Sequence, residues 1–307
     1  MSQQCTHHIF MIRPVSFGFN EETAESNAFM QGDLSDREAQ RDAANNFDSF
    51  VTELRISGIN VIVFEDDLRS KTPDSIFPNN WISFHSDGKV ILYPMEAENR
   101  RLERRMDILE KLGSEFEIDE VIDLSSFEKH GKFLEGTGSL VLDRSAKIAY
   151  ACFASRTNPE VIAAWKKHFV GYEIVGFVAS DANNVPIYHT NVMMCIAEDF
   201  SVLCAESIKD LSEKEAVIRS LKLGGKEPLL ISLDQMNEFA GNMLQVKNDL
   251  GQPILVMSSR AFRSLRKAQL DFLYDKTKIL HAELGSIETL GGGSARCMMT
   301  EIHLHKK

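Results

Sequence analysis

The stretch GGGSARCM (291–298) is the last of five polar motifs spaced almost evenly along the chain. The others are FPNNW (77–81), FLEGTGS (133–139), YHTNVM (188–193) and FAGNML (239–244), and each precedes or begins an apolar, strand-like run. Taking Asn80, Glu135, His189, Asn242 and Cys297 as markers gives separations of 55, 54, 53 and 55 residues. Recurrence at a fixed period marks an array of similar units, none of which buries its apolar face alone. It predicts a closed array whose chemically rich loops meet near one axis.

Helices and strands alternate between the motifs, which gives an α/β class. A first helix is predicted over 36–57, with a capping box from Ser35 and Glu38 and a stripe of Ala43, Phe47, Phe50, Val51 and Leu54, stopped by Gly58. INVIVFE (59–65) follows as a buried strand. A second helix is expected over 95–112, from Leu102, Met106 and Leu109, with Gly113 after it. Asn158-Pro159 opens a third, Ser212 with Glu215 a fourth, and 259–274 is a fifth. Short strands are predicted at 89–93, 139–143, 147–151, 173–178, 192–197, 201–205, 228–232 and 253–257. No low-complexity linker divides the chain, so residues 1–307 read as a single domain.

Composition narrows the function. The chain has 307 residues, 43% of them apolar, enough for a large core. Its net charge of −11 comes without any Lys/Arg block, so nucleic acid is not an expected partner. The N-terminus lacks the pattern of a signal peptide and the apolar runs are strand-sized, so neither secretion nor membrane insertion is expected. Five cysteines, with no CxxC pair, argue against a disulfide framework or zinc ribbon and fit a reducing cytoplasm. No P-loop, GxGxxG or HExxH motif occurs, so no nucleotide, metal or other cofactor is expected. His7-His8 and the HxH at 303–305 lack a third ligand at metal spacing and read as residues without a special role, the second at a ragged basic terminus.

Cys297 is the candidate nucleophile. Three glycines before it let the backbone approach a ligand closely, and amides exposed there suit a developing negative charge. Cys152, Cys195 and Cys204 lie inside apolar strands and read as core residues. Arg296 either lowers the thiol pKa or points to solvent. His189 opens a polar stretch ahead of an apolar strand, and Glu135 sits between Leu134 and two glycines, an odd setting for a solvated carboxylate. Cys, His and Glu on three loops of one repeat have the make-up of a nucleophile, base and orienting group.

The motifs PDSIFPNNW, LEGTGSLVLDR, ASRT, YHTNVMM and GGGSARCM, with an early RP, resemble the amidinotransferase and arginine-deiminase superfamily, the penteins, from about residue 7 to 304. The resemblance is nearest to the citrulline ureidase-like, or citrulline-utilisation hydrolase, branch. It implies a propeller of five ββαβ-type units with a central active site. It also implies that Cys297 attacks the substrate carbon, that His189 shuttles protons, and that Glu135 binds substrate nitrogen and supports the histidine. By the same resemblance Arg156, and less directly Arg100 or Arg101, hold an amino-acid carboxylate, although Arg100 and Arg101 also read as a solvated helix face. Asp74 and Asn79 are further pocket candidates.

Two departures bear on the substrate. Arginine deiminases resembling this chain carry aspartates where Asn80 and Asn191 stand. A pair of carboxylates suits a guanidinium cation, whereas an amide donates and accepts without charge and suits a urea. The expected reaction is hydrolysis of a ureido amino acid, citrulline, to ornithine, ammonia and carbon dioxide through a thiocarbamoyl intermediate. The alternatives are an amidinotransferase, an arginine- or dimethylarginine-type deiminating enzyme, or a non-catalytic pentein such as the translation anti-association factors. The expected partner is a small amino-acid substrate, and a homo-oligomer stays open.

Overall fold

The computed structural model describes residues 3–24, 27, 29, 30, 36–67 and 69–307, and it arranges their strands in five three-stranded sheets of one pattern. In four sheets an antiparallel pair leads through helix into a third strand, parallel to the second. The second unit runs Ile82–Phe84, Lys89–Leu92, the helix Met106–Glu115 and Glu120–Asp123. The third runs Leu140–Asp143, Ile148–Cys152, the helix Pro159–His168 and Glu173–Phe177. Met194–Ile196, Phe200–Leu203, the helix Leu211–Leu223 and Glu227–Leu230 make the fourth. The fifth has Leu244–Lys247, Pro253–Ser258 and Lys278–Ala282, with two short helices before the last strand.

Both ends of the chain share the first sheet. His8–Arg13 pairs in parallel with Asn60–Glu65 on one side and antiparallel with Thr300–Glu301 on the other. The last unit is thereby tied to the first, and the α/β propeller of ββαβ units closes. Its middle strands are buried, with Phe10, Ile91, Tyr150, Val202 and Leu255 fully enclosed. Strands covered on both faces read as unbroken apolar runs, which is why most were visible in the sequence.

The helix Asp36–Ile56 buries Ala43, Phe47, Phe50, Val51 and Leu54 and ends where Gly58 takes a φ of +82°, while Ser35 of the expected capping box lies outside the described residues. The helix expected over 95–112 is instead two, Glu98–Arg101 and Met106–Glu115, because Arg105 between them has extended backbone. The helix expected over 259–274 likewise breaks at Leu265 and Arg266, both extended, with Leu265 buried in the core. Asp210, not Ser212, caps the fourth helix, accepting from the Glu213 N–H at 2.9 Å. The C-terminus is not ragged. The His303 side chain is enclosed beside Glu301, and the His305 carbonyl accepts from the Glu117 N–H. Among the described residues no helix is long and apolar enough to cross a membrane.

Candidate active site

Each polar motif lies directly before the first strand of a unit, and four of them form a single helical turn. These are Pro78–Asn80, Gly136–Ser139 with Glu135 as cap, Thr190–Met193 with His189 as cap, and Ala295–Met298, which carries Cys297. The first strands begin at Ile82, Leu140, Met194, Leu244 and Thr300, at intervals of 58, 54, 50 and 56 residues, and the markers, which occupy different steps of their motifs, are more evenly spaced than the strands. Glycine is required where turns touch. Gly136 has a φ of +49°, and a Cβ on it would lie 2.2 Å from the Asn79 carbonyl oxygen.

Hydrogen bonds link successive motifs. The Asn79 amide donates to Thr137 Oγ1 at 3.4 Å, and Thr190 Oγ1 donates to the Ser139 carbonyl at 2.6 Å. Asn242 Nδ2 donates to the Asn191 carbonyl at 3.0 Å, and Asn242 Oδ1 accepts from the Arg296 N–H at 3.0 Å. The glycines before Cys297 close the circuit by lying against the Phe77 ring, where a Cβ on Gly291 or Gly293 would collide with it. Sequence separations above 50 residues collapse here to contact distance.

Glu135 is fully buried. Its Oε1 accepts from the Glu96 N–H at 3.0 Å and its Oε2 from His189 Nε2 at 2.8 Å, with Arg156 at 3.5 Å and Arg100 at 3.8 Å. Burial alone would raise its pKa, but Arg156, His189 and Arg100 outweigh this and hold it well below the usual carboxylate range. Burial drives His189 the other way, down to about 4, against the pull of Glu135. The imidazole is therefore neutral at pH 7. An ionised carboxylate only accepts, so Nε2 carries the hydrogen and Nδ1 keeps its lone pair.

Arg100 is buried, not part of a solvated helix face. Nε and NH2 grip both oxygens of Glu103 at 2.9 Å, and NH1 donates to Asn80 Oδ1 at 2.9 Å. Burial lifts Glu103 to about 7 despite the nearby guanidinium. Because a guanidinium only donates, Arg100 fixes the Asn80 amide with its oxygen turned away and its nitrogen presented. Asn80 Nδ2 has no partner, and together with His189 Nδ1 it crowds Gly138, where a Cβ would meet them at 2.4 and 3.0 Å. Asn191 Oδ1, Asn79 Oδ1 and Asp74 Oδ1 are also buried without partners. A buried unpaired polar atom costs about 1–3 kcal/mol, so four on residues the sequence had already singled out mark a place shaped for a ligand.

Cys297 Sγ lies 3.4 Å from Asn191 Nδ2 and 3.2 Å from Asn242 Nδ2. Arg296 neither reaches the thiol nor faces solvent. It is buried, donating to the Met299 carbonyl at 2.9 Å and to Glu301 at 3.0 Å. Arg156 donates to Glu96 at 3.2 Å and lies over the Tyr188 ring at 4.9 Å. Asp74 Oδ2 accepts from Asn20 at 2.7 Å and Thr23 at 3.2 Å. Arg101 is not brought in, since it donates to the Met95 and Glu96 carbonyls from a partly exposed position. Sequence reasoning missed Glu103, Tyr188, Glu96 and the contact of Asn242 with the sulfur. The available signals were the Arg100–Glu103 spacing of a helical pair and the place of Asn242 in the repeat.

A family model described as N,N dimethylarginine dimethylhydrolase, eukaryotic, matches residues 13–304. No individual curated protein matches the sequence. Among solved structures, the N-terminal domain of ArgZ, an arginine dihydrolase from the ornithine-ammonia cycle in Cyanobacteria, bound to substrate, superimposes with a TM-score of 0.75 at 16% identity, covering 97% of this chain and 99% of that one. The same domain covalently bound to a reaction intermediate gives the same score and identity over 96% and 97%. A DDAH mutant from Pseudomonas aeruginosa, complexed with citrulline, gives 0.64 at 13% identity over 98% and 100%. Apo ArgZ is longer, and this chain spans 42% of it. The family match over nearly the whole chain and the shared propeller lead to one assignment: the chain belongs to the N,N-dimethylarginine dimethylhydrolase family, hydrolases of guanidino carbon–nitrogen bonds within the pentein superfamily.

Proposed function

We propose that the chain hydrolyses a ureido amino acid, citrulline, to ornithine, carbon dioxide and ammonia, the reaction of the citrulline-utilisation branch. The observation that carries this reading is the fixed orientation of Asn80, whose unpaired Nδ2 offers a donor to a carbonyl oxygen. A guanidinium has only N–H groups to present to that donor. Asn191 Oδ1, an unpaired acceptor, suits the ureido N–H.

In this reading Cys297 Sγ bonds to the ureido carbon, and its proton passes to the neutral His189. The tetrahedral oxyanion is met by Asn80 Nδ2. On collapse a carbon–nitrogen bond breaks, and the leaving nitrogen takes the proton from His189. Water then attacks the thiocarbamoyl carbon with His189 as base, the carbon–sulfur bond breaks, and the carbamate falls to carbon dioxide and amine. Glu135 keeps the imidazole oriented and steadies its charged form. Arg156 receives the substrate carboxylate, for which the partly exposed Glu96 acts as a placeholder, and Asp74 Oδ1 accepts from a substrate N–H. Arg100 has its donors committed and acts on the substrate through Asn80.

A second reading, hydrolysis of a guanidino substrate such as arginine, draws on the unpaired anionic Asp74 oxygen and on the likeness to an arginine dihydrolase. Mass-spectrometric turnover of citrulline, arginine, dimethylarginine and N-succinylarginine by wild type and Cys297→Ala separates the two. Ornithine from citrulline, absent with Cys297→Ala, is the expected result, and turnover of arginine alone overturns the ureido reading. The double variant Asn80→Asp, Asn191→Asp is expected to move preference toward guanidino ligands.

A further inference from the structure

The geometry points to Asn242 as an additional catalytic residue, one that steadies the negative charge appearing on Cys297 Sγ as its proton passes to His189, by donating an N–H to the sulfur. The inference rests on Cys297 being the nucleophile, but not on which substrate it attacks.

The orientation of Asn242 is chemically forced. Its Oδ1 accepts from the Arg296 backbone N–H at 3.0 Å, and a backbone N–H only donates. Its Nδ2 donates to the Asn191 carbonyl at 3.0 Å, which only accepts. The second hydrogen of Nδ2 then has Cys297 Sγ before it at 3.2 Å. Asn242 itself is buried, and the tight turn under it, where Phe239 takes a φ of +61° and its carbonyl accepts from the Asn242 N–H at 2.9 Å, keeps it from swinging away.

Thiolates in enzymes are commonly steadied by a neighbouring cation. In this site the obvious cations are occupied elsewhere. Arg296 is turned to Glu301, Arg100 is gripped by Glu103, and His189 is neutral with its N–H on Glu135. Amide hydrogens that need no reorganisation take that part. As the thiol gives its proton to His189, the negative charge left on sulfur meets Nδ2 of Asn242 and, at 3.4 Å, of Asn191. Cys297, in the turn directly before Thr300–Glu301 of the first sheet, depends on the loop before the fifth unit for its reactivity.

The test is site-resolved alkylation. Wild type, Asn242→Ala and Asn242→Asp are treated with iodoacetamide across pH 5–10, and Cys297 labelling is followed by peptide mass spectrometry, with thermal midpoints recorded for each. Asn242→Asp keeps the acceptor for the Arg296 N–H and replaces the donor facing sulfur by an anion. The pH of half-maximal labelling is expected to rise by about one unit in Asn242→Ala and further in Asn242→Asp, with kcat/KM lower by roughly ten- to a hundredfold. A role confined to holding the ring together lowers the thermal midpoint and leaves the labelling pH unmoved; that result in either folded variant overturns the inference. Should Cys297→Ala retain turnover, the nucleophile reading itself falls, an outcome distinct from unmoved labelling alongside an inactive Cys297→Ala.

Discussion

Two buried glutamate–histidine pairs lie within this ring, built from the same parts. Glu135 binds His189 Nε2 at 2.8 Å with Arg156 and Arg100 nearby, and Glu301 binds His303 Nε2 at 3.0 Å with Arg296 and Arg144. In each pair burial carries the histidine down to about 4. In each the carboxylate, which burial alone would raise, is held well below its usual range by its cations. What surrounds them differs. Around Glu135 the unpaired buried atoms include amide atoms of Asn79 and Asn80 and an oxygen of Asp74, whereas beside Glu301 the unpaired atom is the Thr300 hydroxyl. The comparison teaches that a Glu–His–Arg cage is first a way to bury charge with its hydrogen bonds made. What the proposed site adds to such a cage is a thiol and amide atoms without partners.

The sharpest way to break the comparison is to neutralise each glutamate. Glu135→Gln removes the support of the histidine and is expected to lower kcat/KM by about three orders of magnitude. Glu301→Gln leaves Arg144 and Arg296 without their buried counter-charge and is expected to cost about 3–5 kcal/mol of stability. Its kcat/KM per folded molecule should stay within a few-fold of wild type. Steady-state kinetics and denaturant unfolding of both variants decide the matter. A loss of turnover in Glu301→Gln as large as in Glu135→Gln would make both pairs one functional unit.

Acid should act on the two pairs alike. Each histidine has an ordinary pKa of 6.5 and a folded value of about 4, so between these limits the unfolded chain binds more protons. Stability therefore rises with pH across that window, by up to about 1.4 kcal/mol per pH unit for each histidine. The depressed glutamates add stability that is present above about 4.5 and lost as pH falls below it. Urea unfolding between pH 4 and 7 should show this slope, and His303→Gln should remove one histidine's share while leaving the pH profile of kcat/KM in place. A profile that moves with His303 would tie the second pair to the chemistry.

A smaller effect is expected at the carboxylate behind Asn80. Glu103→Gln weakens the grip that orients Arg100 and through it the Asn80 amide, and should lower kcat/KM for the preferred substrate about tenfold. The ratio of citrulline to arginine turnover should fall with it. An unchanged ratio would mean that the amide orientation does not set the substrate.

The five motifs made the ring legible from the sequence, because each marks the approach to a first strand and units of similar length keep those strands 50 to 58 residues apart. Four of the five buried middle strands were legible for the reason already given, while His8–Arg13 was not among the expected strands. Strands that are short or only partly apolar were not. Ile82–Phe84 and Thr300–Glu301 offer too few residues for a pattern, and Glu120–Asp123 buries only Ile122. Glu135, His189 and Cys297 drew notice because polar residues stood in apolar settings. Glu103 did not, because a glutamate among four arginines looks like surface charge, and only the tertiary fold reveals that the Arg100–Glu103 pair is enclosed. The breaks at Arg105 and Leu265 were equally hidden, since neither residue breaks helices by propensity and the turns there are imposed by packing.

Arg100 and Arg101 repeat the comparison at the scale of adjacent residues. One is enclosed and oriented toward Asn80, while the other lies half outside, donating at 3.1 Å to the Met95 and Glu96 carbonyls and resting over Phe133. The Glu96 N–H in turn holds Glu135 Oε1, so Arg101 touches the site only by steadying that backbone. Exposed contacts of this kind contribute about 1 kcal/mol or less, and Arg101→Ala is expected to change kcat/KM by no more than about threefold. Arg156→Ala, by contrast, should raise KM for the intact amino acid far more than for a substrate analogue lacking the α-carboxylate. If Arg101→Ala instead raised KM tenfold with kcat unchanged, the carboxylate would be held at the outer rim and not beneath Tyr188, and the substrate would have to enter the ring from the side of Phe133.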